Sequence, residues 1–457
     1  MRYLGFGIYI VFVICFYIPS IAYAYLDPGT GNALVYMIIS LFGAAIFFVK
    51  GLFYKLVGKK SSSENWDHAD KGTSLVLVSE GKMYSNTFMP IIQELLNRGA
   101  YFTYYTMDVN DPALIIDDPH INNRYIGNGN MAFSKIGNLE ADIVLMTTPN
   151  IGTEGYPVPR SPKIKNLVHI THGFDIGCYK KYSLDNYDTV FLVGKFTLET
   201  LRQIEKVRHL PAKKVYPTGL PTMDVLAARK AKDEAKEALS IPLEKTVYEQ
   251  KGTILVAPSW GDKGCLKYYG YHFIELLAQA GFYVILRPHP QSRKVEQKLL
   301  AEGEQLLQKY PNVHWDNEVI ATSSMEAADV MISDMSTVRA DFMFIYQKPV
   351  ITLMMPPNCM DGFEMAELGK GQQEDVITSI SHRISMDEID QIVPIVEKVI
   401  AEKTSGEMAE KIIAFRDENI YHWGHSAEVI ADYLVKAMAG QDEATLEDAG
   451  LETGNRF

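Results

Sequence analysis

The chain has only four cysteines in 457 residues, Cys15, Cys178, Cys265 and Cys359, with no C-x-x-C pair and no regular spacing. That scarcity argues against both a disulfide framework and a structural zinc site. Basic residues are also in deficit, 44 Lys plus Arg against 56 Asp plus Glu, for a formal charge of −12. A nucleic-acid binder with a broad basic face is not expected from that balance. The sequence contains no G-x-x-x-x-G-K-[ST] loop, no G-x-S-x-G elbow and no H-E-x-x-H. NTPase, α/β-hydrolase and zinc-protease readings lose their support. Asp-x-Asp is absent too, which removes the usual divalent-ion clamp of metal-dependent nucleotide-sugar transferases, and no metal or other cofactor is expected.

What the first sixty residues lack is charge. None occurs from Tyr3 to Leu26, and after Asp27 none again from Pro28 to Val49. Each stretch is long enough to cross a bilayer core of roughly 30 Å. Arg2, the first apolar run and Ala22-Tyr23-Ala24 read either as a signal peptide with its cleavage site or as an uncut transmembrane helix. The second run, from about Ala33, is followed by Lys50, Lys55, Lys59 and Lys60, an excess that holds that end in the cytoplasm. The expectation is an anchor over residues 1–60 in the cell membrane with a cytoplasmic body. The lysines serve topology alone or also meet anionic lipid headgroups.

The remainder reads as alternating strands and helices. Ser61 to Asn65 is a polar linker, and Ser74 to Val78 a buried strand. A loop from Glu80 to Asn86, a helix over Phe88–Leu96 stopped by Gly99, and a strand at Tyr101–Tyr105 complete one βαβ unit. Further apolar runs at Ala141–Met146, Leu167–Ile170 and Thr189–Val193 suit a parallel sheet covered on both faces. After a charged helix over Ala227–Glu237 the pattern restarts. Strands are predicted at Thr253–Ala257, Phe282–Leu286, Val330–Ile332 and Val350–Leu353, with helices at Tyr271–Gln279 and Ala340–Ile345. Two successive doubly wound α/β domains are the economical answer. Residues beyond about Asp387 read as mostly helical, ending in an acidic solvated tail.

In such sheets functional groups gather just past the carboxyl ends of strands. Four loops there are chemically loaded. His172, followed by Gly173, titrates near neutrality and is a candidate general base, or else a histidine bonded to a neighbouring loop. His169, inside the strand, is its control and is expected to be a core histidine with a satisfied hydrogen bond. Ser259 and Trp260 follow the strand ending at Ala257. Arg287-Pro288-His289-Pro290 holds Arg287 and His289 on a stiff loop suited to phosphate, although an Arg there equally caps carbonyls. In Ser333-Asp334-Met335-Ser336-Thr337 the hydroxyls of Ser336 and Thr337 and a helix start make a phosphate cradle, or an ordinary N-cap by Asp334 or Ser336. Asp341, four residues after Thr337, binds a ribose or locks the loop.

The order His172-Gly173, Pro217-Thr218-Gly219-Leu220-Pro221-Thr222-Met223-Asp224, Pro258-Ser259-Trp260, Arg287-Pro288-His289-Pro290 and Ile332-Ser333-Asp334-Met335-Ser336-Thr337 to Asp341-Phe342 resembles the CDP-glycerol glycerophosphotransferase family of teichoic acid synthesis. The resemblance covers roughly residues 165–355. It implies a GT-B fold, CDP-glycerol or another nucleotide-activated donor, and His172 as base. It places His289 with Arg287 and the Ser333–Thr337 segment around the donor diphosphate, Thr218, Gly219 and Gly173 among the substrate-binding positions, and a membrane-associated glycan or lipid-linked acceptor opposite. The family often has Thr where Ser259 stands and Ser where Thr337 stands, so a hydroxyl is kept at both. The domains implied are the anchor 1–60, an acceptor-side Rossmann-like domain 61–245, a CDP-donor domain 246–400, and C-terminal helices with a tail 401–457. A GT-B nucleotide-sugar glycosyltransferase and a non-enzymatic membrane-anchored binding module are the alternatives.

Overall fold

β1 (Leu75–Ser79), β2 (Phe102–Thr106), β3 (Ile121–Tyr125), β4 (Ala141–Met146), β5 (Ile164–His169), β6 (Thr189–Leu192) and β7 (Lys214–Pro217) form one parallel sheet in the order β3-β2-β1-β4-β5-β6-β7. β8 (Thr253–Val256), β9 (Tyr283–Leu286), β10 (Val313–Trp315), β11 (Val330–Ser333), β12 (Val350–Leu353) and β13 (His382–Ile384) form a second, in the order β10-β9-β8-β11-β12-β13. These elements belong to a computed structural model that describes residues 74–231, 251–261, 264–318 and 322–441. All of them lie in one compact unit, Asp70–Phe457.

The central strands are buried from end to end, as in the LVLVS of β1 and the TILV of β8, because helices cover both faces of each sheet. The helix Ser85–Asn97 shows how. Its Phe88, Ile91, Ile92 and Leu95 recur at three- and four-residue spacing and form the stripe that packs on β1 and β2. The chain then returns at its end. Ile430, Ala431 and Leu434 of the helix Ser426–Met438 join this same core of the first sheet.

Strand order reverses between β1 and β4 in the first sheet and between β8 and β11 in the second, which leaves a crevice at the carboxyl edge of each. Both predicted doubly wound halves are therefore present. The predicted anchor over residues 1–60, the boundary near residue 245 and the acidic tail fall outside the described residues. Among the described residues no helix is long and apolar enough to cross a membrane.

Candidate active site

Adjacency of β8 and β11 brings their following loops into contact, and one carboxylate ties them. Asp334, with no exposed surface, accepts from Ser259 N at 3.0 Å, Ser259 Oγ at 2.5 Å, Cys265 N at 2.7 Å and Ser336 N at 3.2 Å. Ser333 Oγ donates to the Ala257 carbonyl, also inside the knot. Ser259, Ser333 and Asp334 thus shape the crevice, and Trp260, Ser336 and Thr337 are left at its surface. The helix Val338–Tyr346 starts with Thr337 as N-cap and no side-chain cap. Arg339 N and Ala340 N bond the Ser336 and Thr337 carbonyls at 3.3 and 3.0 Å, so what this end offers an anion is chiefly its helix dipole.

The loop after β9 divides its two candidates. Arg287 is paired with Asp316 at 2.6 Å, its side chain 14% exposed and that of Asp316 fully enclosed. His289 Nδ1 accepts from Gln291 N at 3.1 Å, so the neutral ring carries its proton on Nε2. Burial pushes the His289 pKa down, against the opposing charges of Asp334 and Glu296. The ring lies nearly parallel to that of Trp260 at 6.0 Å. His289 is therefore a neutral N–H donor on a stiff loop. Arg287→Ala strands the enclosed Asp316 charge, a loss of about 3–5 kcal/mol. A lowered melting temperature is expected by thermal scan, and Arg287→Lys should recover part of it.

In the first half, Thr171 Oγ1 donates to the Gly173 carbonyl at 2.7 Å and accepts from Gly173 N at 3.1 Å, a tight turn with His172 at its tip. Tyr84 meets the His172 ring edge-on at 5.1 Å, and Tyr179 stacks on it at 5.9 Å. The Tyr179 hydroxyl is anchored on Thr171 Oγ1. Water reaches His172, yet protein surrounds it, and this crowding pushes its pKa below the ordinary histidine value. Neither ring nitrogen has a hydrogen-bond partner among the described residues. His169 differs from expectation in one respect. It is fully buried and pushed down to about 3, chiefly by burial, but neither of its ring nitrogens is bonded.

The two halves meet at the His172 loop. A Cβ at Gly173 would lie 3.9 Å from Thr337 Cγ2, so the candidate base and the helix start share one cleft. The chain just beyond is clamped to the second half. Glu364 N donates to the Tyr179 carbonyl and Lys181 N to the Gly362 carbonyl, each at 2.9 Å. Arg208 joins Asp185 and Glu367, each at 2.6 Å, and Glu364. Asp341 lies one turn along from Thr337, half-buried, without a hydrogen-bond partner among the described residues, and burial pushes it up to about 7. It does not lock the loop as Asp334 does.

Thr218 and Gly219 are not brought to this cleft. Thr218 is buried with its hydroxyl toward the Leu192 and Gly219 carbonyls. Gly219 has φ +79°, and a Cβ there would sit 2.3 Å from the Tyr421 carbonyl oxygen. Asp224 of the same motif accepts from Gly424 N and Ser426 N at 2.8 and 2.7 Å. The motif seats the returning C-terminal helix. Sequence reasoning missed Tyr84, Tyr179, Asp316 and the buried Arg339, which bonds Thr352, Thr378 and Asp375.

A pH dependence follows from the clamp. Asp175, Cys178 and Asp375 lie within 4.8 Å of one another. Burial, then the Asp375 charge, pushes Asp175 up to about 7 from an ordinary 3.8. Between those values the folded protein holds a proton that the unfolded chain releases, so stability falls as pH rises through that window. Asp175→Asn keeps an acceptor for Gly177 N, which donates to Asp175 Oδ1 at 2.9 Å. Its melting temperature should exceed wild type at pH 8, by roughly 2–4 °C per kcal/mol, and the gain should shrink at pH 5.

Comparison with known proteins adds a family. The model of the family described as CDP-Glycerol:Poly(glycerophosphate) glycerophosphotransferase matches residues 175–435, a span that begins just after His172. No curated protein matches the chain. Among solved structures, a histidine-to-asparagine variant of the wall teichoic acid polymerase TagF soaked with CDPG is 17% identical, with a TM-score of 0.51 over 89% of this chain and 99% of that one. A putative UDP-N-acetylglucosamine 2-epimerase from Listeria monocytogenes is 12% identical, TM-score 0.52, over 81% and 99%. MnaA of S. aureus with UDP is 12% identical, TM-score 0.52, over 80% and 97%. What is shared with all three is the fold, two parallel-sheet α/β halves of the GT-B kind.

Proposed function

Since the chain belongs to the CDP-glycerol:poly(glycerophosphate) glycerophosphotransferase family, we propose that it moves glycerol phosphate from CDP-glycerol to a hydroxyl of a cell-envelope glycan or glycolipid and releases CMP. Family membership makes it a transferase and sets aside the binding-module alternative. The observation that carries the rest is the contact of the His172 loop with the helix start at Thr337. It supports a reading in which a neutral imidazole faces the donor phosphates across one cleft.

His172 takes the proton from the acceptor hydroxyl, and its lowered pKa keeps it unprotonated and ready near neutrality. The acceptor oxygen attacks the β-phosphorus of CDP-glycerol. The bond from that phosphorus to the bridging oxygen breaks, and CMP departs with the bond's electrons. His289 Nε2–H, the Ser336 and Thr337 hydroxyls and the positive end of the helix Val338–Tyr346 hold the phosphates as charge shifts toward CMP. Trp260 backs the His289 ring.

Incubation with CDP-glycerol, CDP-ribitol and a panel of UDP-sugars tests the donor. CMP release from CDP-glycerol alone is the expected result, and UDP release would favour the nucleotide-sugar glycosyltransferase. The two uncharged runs before Val49 and the lysines after it support a membrane-held enzyme with a cytoplasmic body and lipid-associated acceptor. Protease added outside intact cells should then leave residues beyond Ser61 uncut.

A further inference from the structure

The crevice between β1 and β4 in the first sheet carries polar groups that no fold contact uses. Glu80 stands at the carboxyl end of β1, half-buried, and its carboxylate has no hydrogen-bond or ion-pair partner among the described residues. Its loop is rigid. Ser79 Oγ bonds both the N–H and the carbonyl of Gly81 at 3.1 Å. Gly81 has φ +141°, and a Cβ there would lie 2.7 Å from Asp108 Cβ, so only glycine fits and Glu80 is presented in one place.

Across the crevice, Thr147 and Thr148 follow β4 with 0% and 1% exposure, and neither hydroxyl is bonded among the described residues. His169, at the end of the neighbouring β5, leaves both ring nitrogens unbonded. These groups are one cluster. The Tyr187 hydroxyl donates to the Thr148 carbonyl, and the Tyr187 ring lies 4.8 Å from that of His169. Buried polar groups left unpaired are costly, and a ligand hydroxyl or its bridging water would offset that cost. The cluster borders the candidate base. Tyr84, four residues past Glu80, puts its ring 5.1 Å from that of His172. Burial first, then the Glu80 charge, pushes up the pKa of Tyr84 and, to about 12, that of Tyr156, so both phenols lie within electrostatic reach of this carboxylate. Lys82 of the same loop is exposed and sits by Asp108.

We propose that Glu80, with Thr147 and Thr148 behind it, binds the neutral hydroxyl of the acceptor's terminal unit that is vicinal to the one His172 deprotonates. A carboxylate accepts strongly from such a hydroxyl, and its charge disfavours a phosphate at the same spot. The two halves then divide the substrates by charge. The second half takes the diphosphate, and the first takes a polyol or sugar end. This rests on the glycerophosphotransferase reading with His172 as base.

Three soluble probes test it by direct binding to the CMP-loaded full-length protein and as acceptors: butyl phosphoglycerol, butyl glucoside and butyl phosphopropanol, which ends in a lone hydroxyl. Wild type should bind a diol-ended probe saturably, and the first two arms tell a glycerol end from a sugar end. Glu80→Gln should weaken that binding and raise the acceptor KM about 10–100-fold, with CMP affinity and donor KM within about twofold. Thr148→Val should act in the same direction and less. On butyl phosphopropanol the Glu80→Gln effect should nearly vanish. Unchanged binding of the diol probes in Glu80→Gln, equal loss on the single-hydroxyl probe, or no saturable binding of either diol probe to wild type overturns the proposal. His172→Ala separates the two readings. Retained turnover there refutes the base, whatever Glu80→Gln does to probe binding.

Discussion

His172→Ala is expected to lower turnover about 10²–10⁴-fold while CMP affinity stays at the wild-type level. The side chain stands at the tip of a turn closed by Thr171, flanked by Tyr84 and Tyr179, and supports no other element through hydrogen bonds. Its removal therefore takes away a base without opening the fold. The pH profile gives an independent check. Crowding lowers the His172 pKa, so kcat/KM should hold its plateau down to a pH below the ordinary histidine value and then fall. More than about a tenth of wild-type turnover at saturating acceptor would mean that another group takes the proton. His169→Gln, in the core beneath, should cost stability and leave the profile in place.

Asp334→Ala should be the most damaging change in the second half. Its carboxylate accepts from three backbone N–H groups and one hydroxyl drawn from three segments, Ser259, Cys265 and Ser336. Truncation leaves those donors without an acceptor, at about 1–3 kcal/mol each, and frees the loops that shape the donor crevice. A large drop in melting temperature and loss of measurable CMP binding are expected together. Ser336→Ala, which removes a neutral hydroxyl and leaves the knot tied, should be mild. Wild-type CMP affinity in Asp334→Ala would show that the crevice keeps its shape without this carboxylate.

The strands legible in the sequence were β1, β2, β4, β5, β6, β8, β9, β11 and β12. The four not predicted, β3, β7, β10 and β13, are the outermost strands of the two sheets. Their sequences, INNRY, KVYP, VHW and HRI, are largely half-exposed or exposed. An edge strand has a neighbour on one side only and is covered less completely, so it lacks the unbroken apolar run that marks a central parallel strand.

The site was legible in a similar way. Loops after central strands could be located because the strands could, and the residues in them were chemically distinctive. Their partners were not. Asp316 holds Arg287 across 29 positions, and Asp334 holds Ser259 across 75. Whether an Arg or Asp faces a ligand or a buried counter-charge depends on which loops the sheet order makes neighbours, and no local pattern records that.

By itself, then, the chain determined two α/β halves, the loops bearing His172, His289 and Ser336, and the family they resemble, because periodicity and short motifs are local properties of the sequence. Tertiary structure alone decided that Thr218 and Gly219 seat the C-terminal helix, that Arg287 is paired inward, and that Tyr84 and Tyr179 flank His172. It also brought Glu80, unpaired among the described residues, to the crevice at the end of β1. Each of these is a contact between segments far apart in the chain, set by strand order and by which side chains remain unpaired once the sheets are packed.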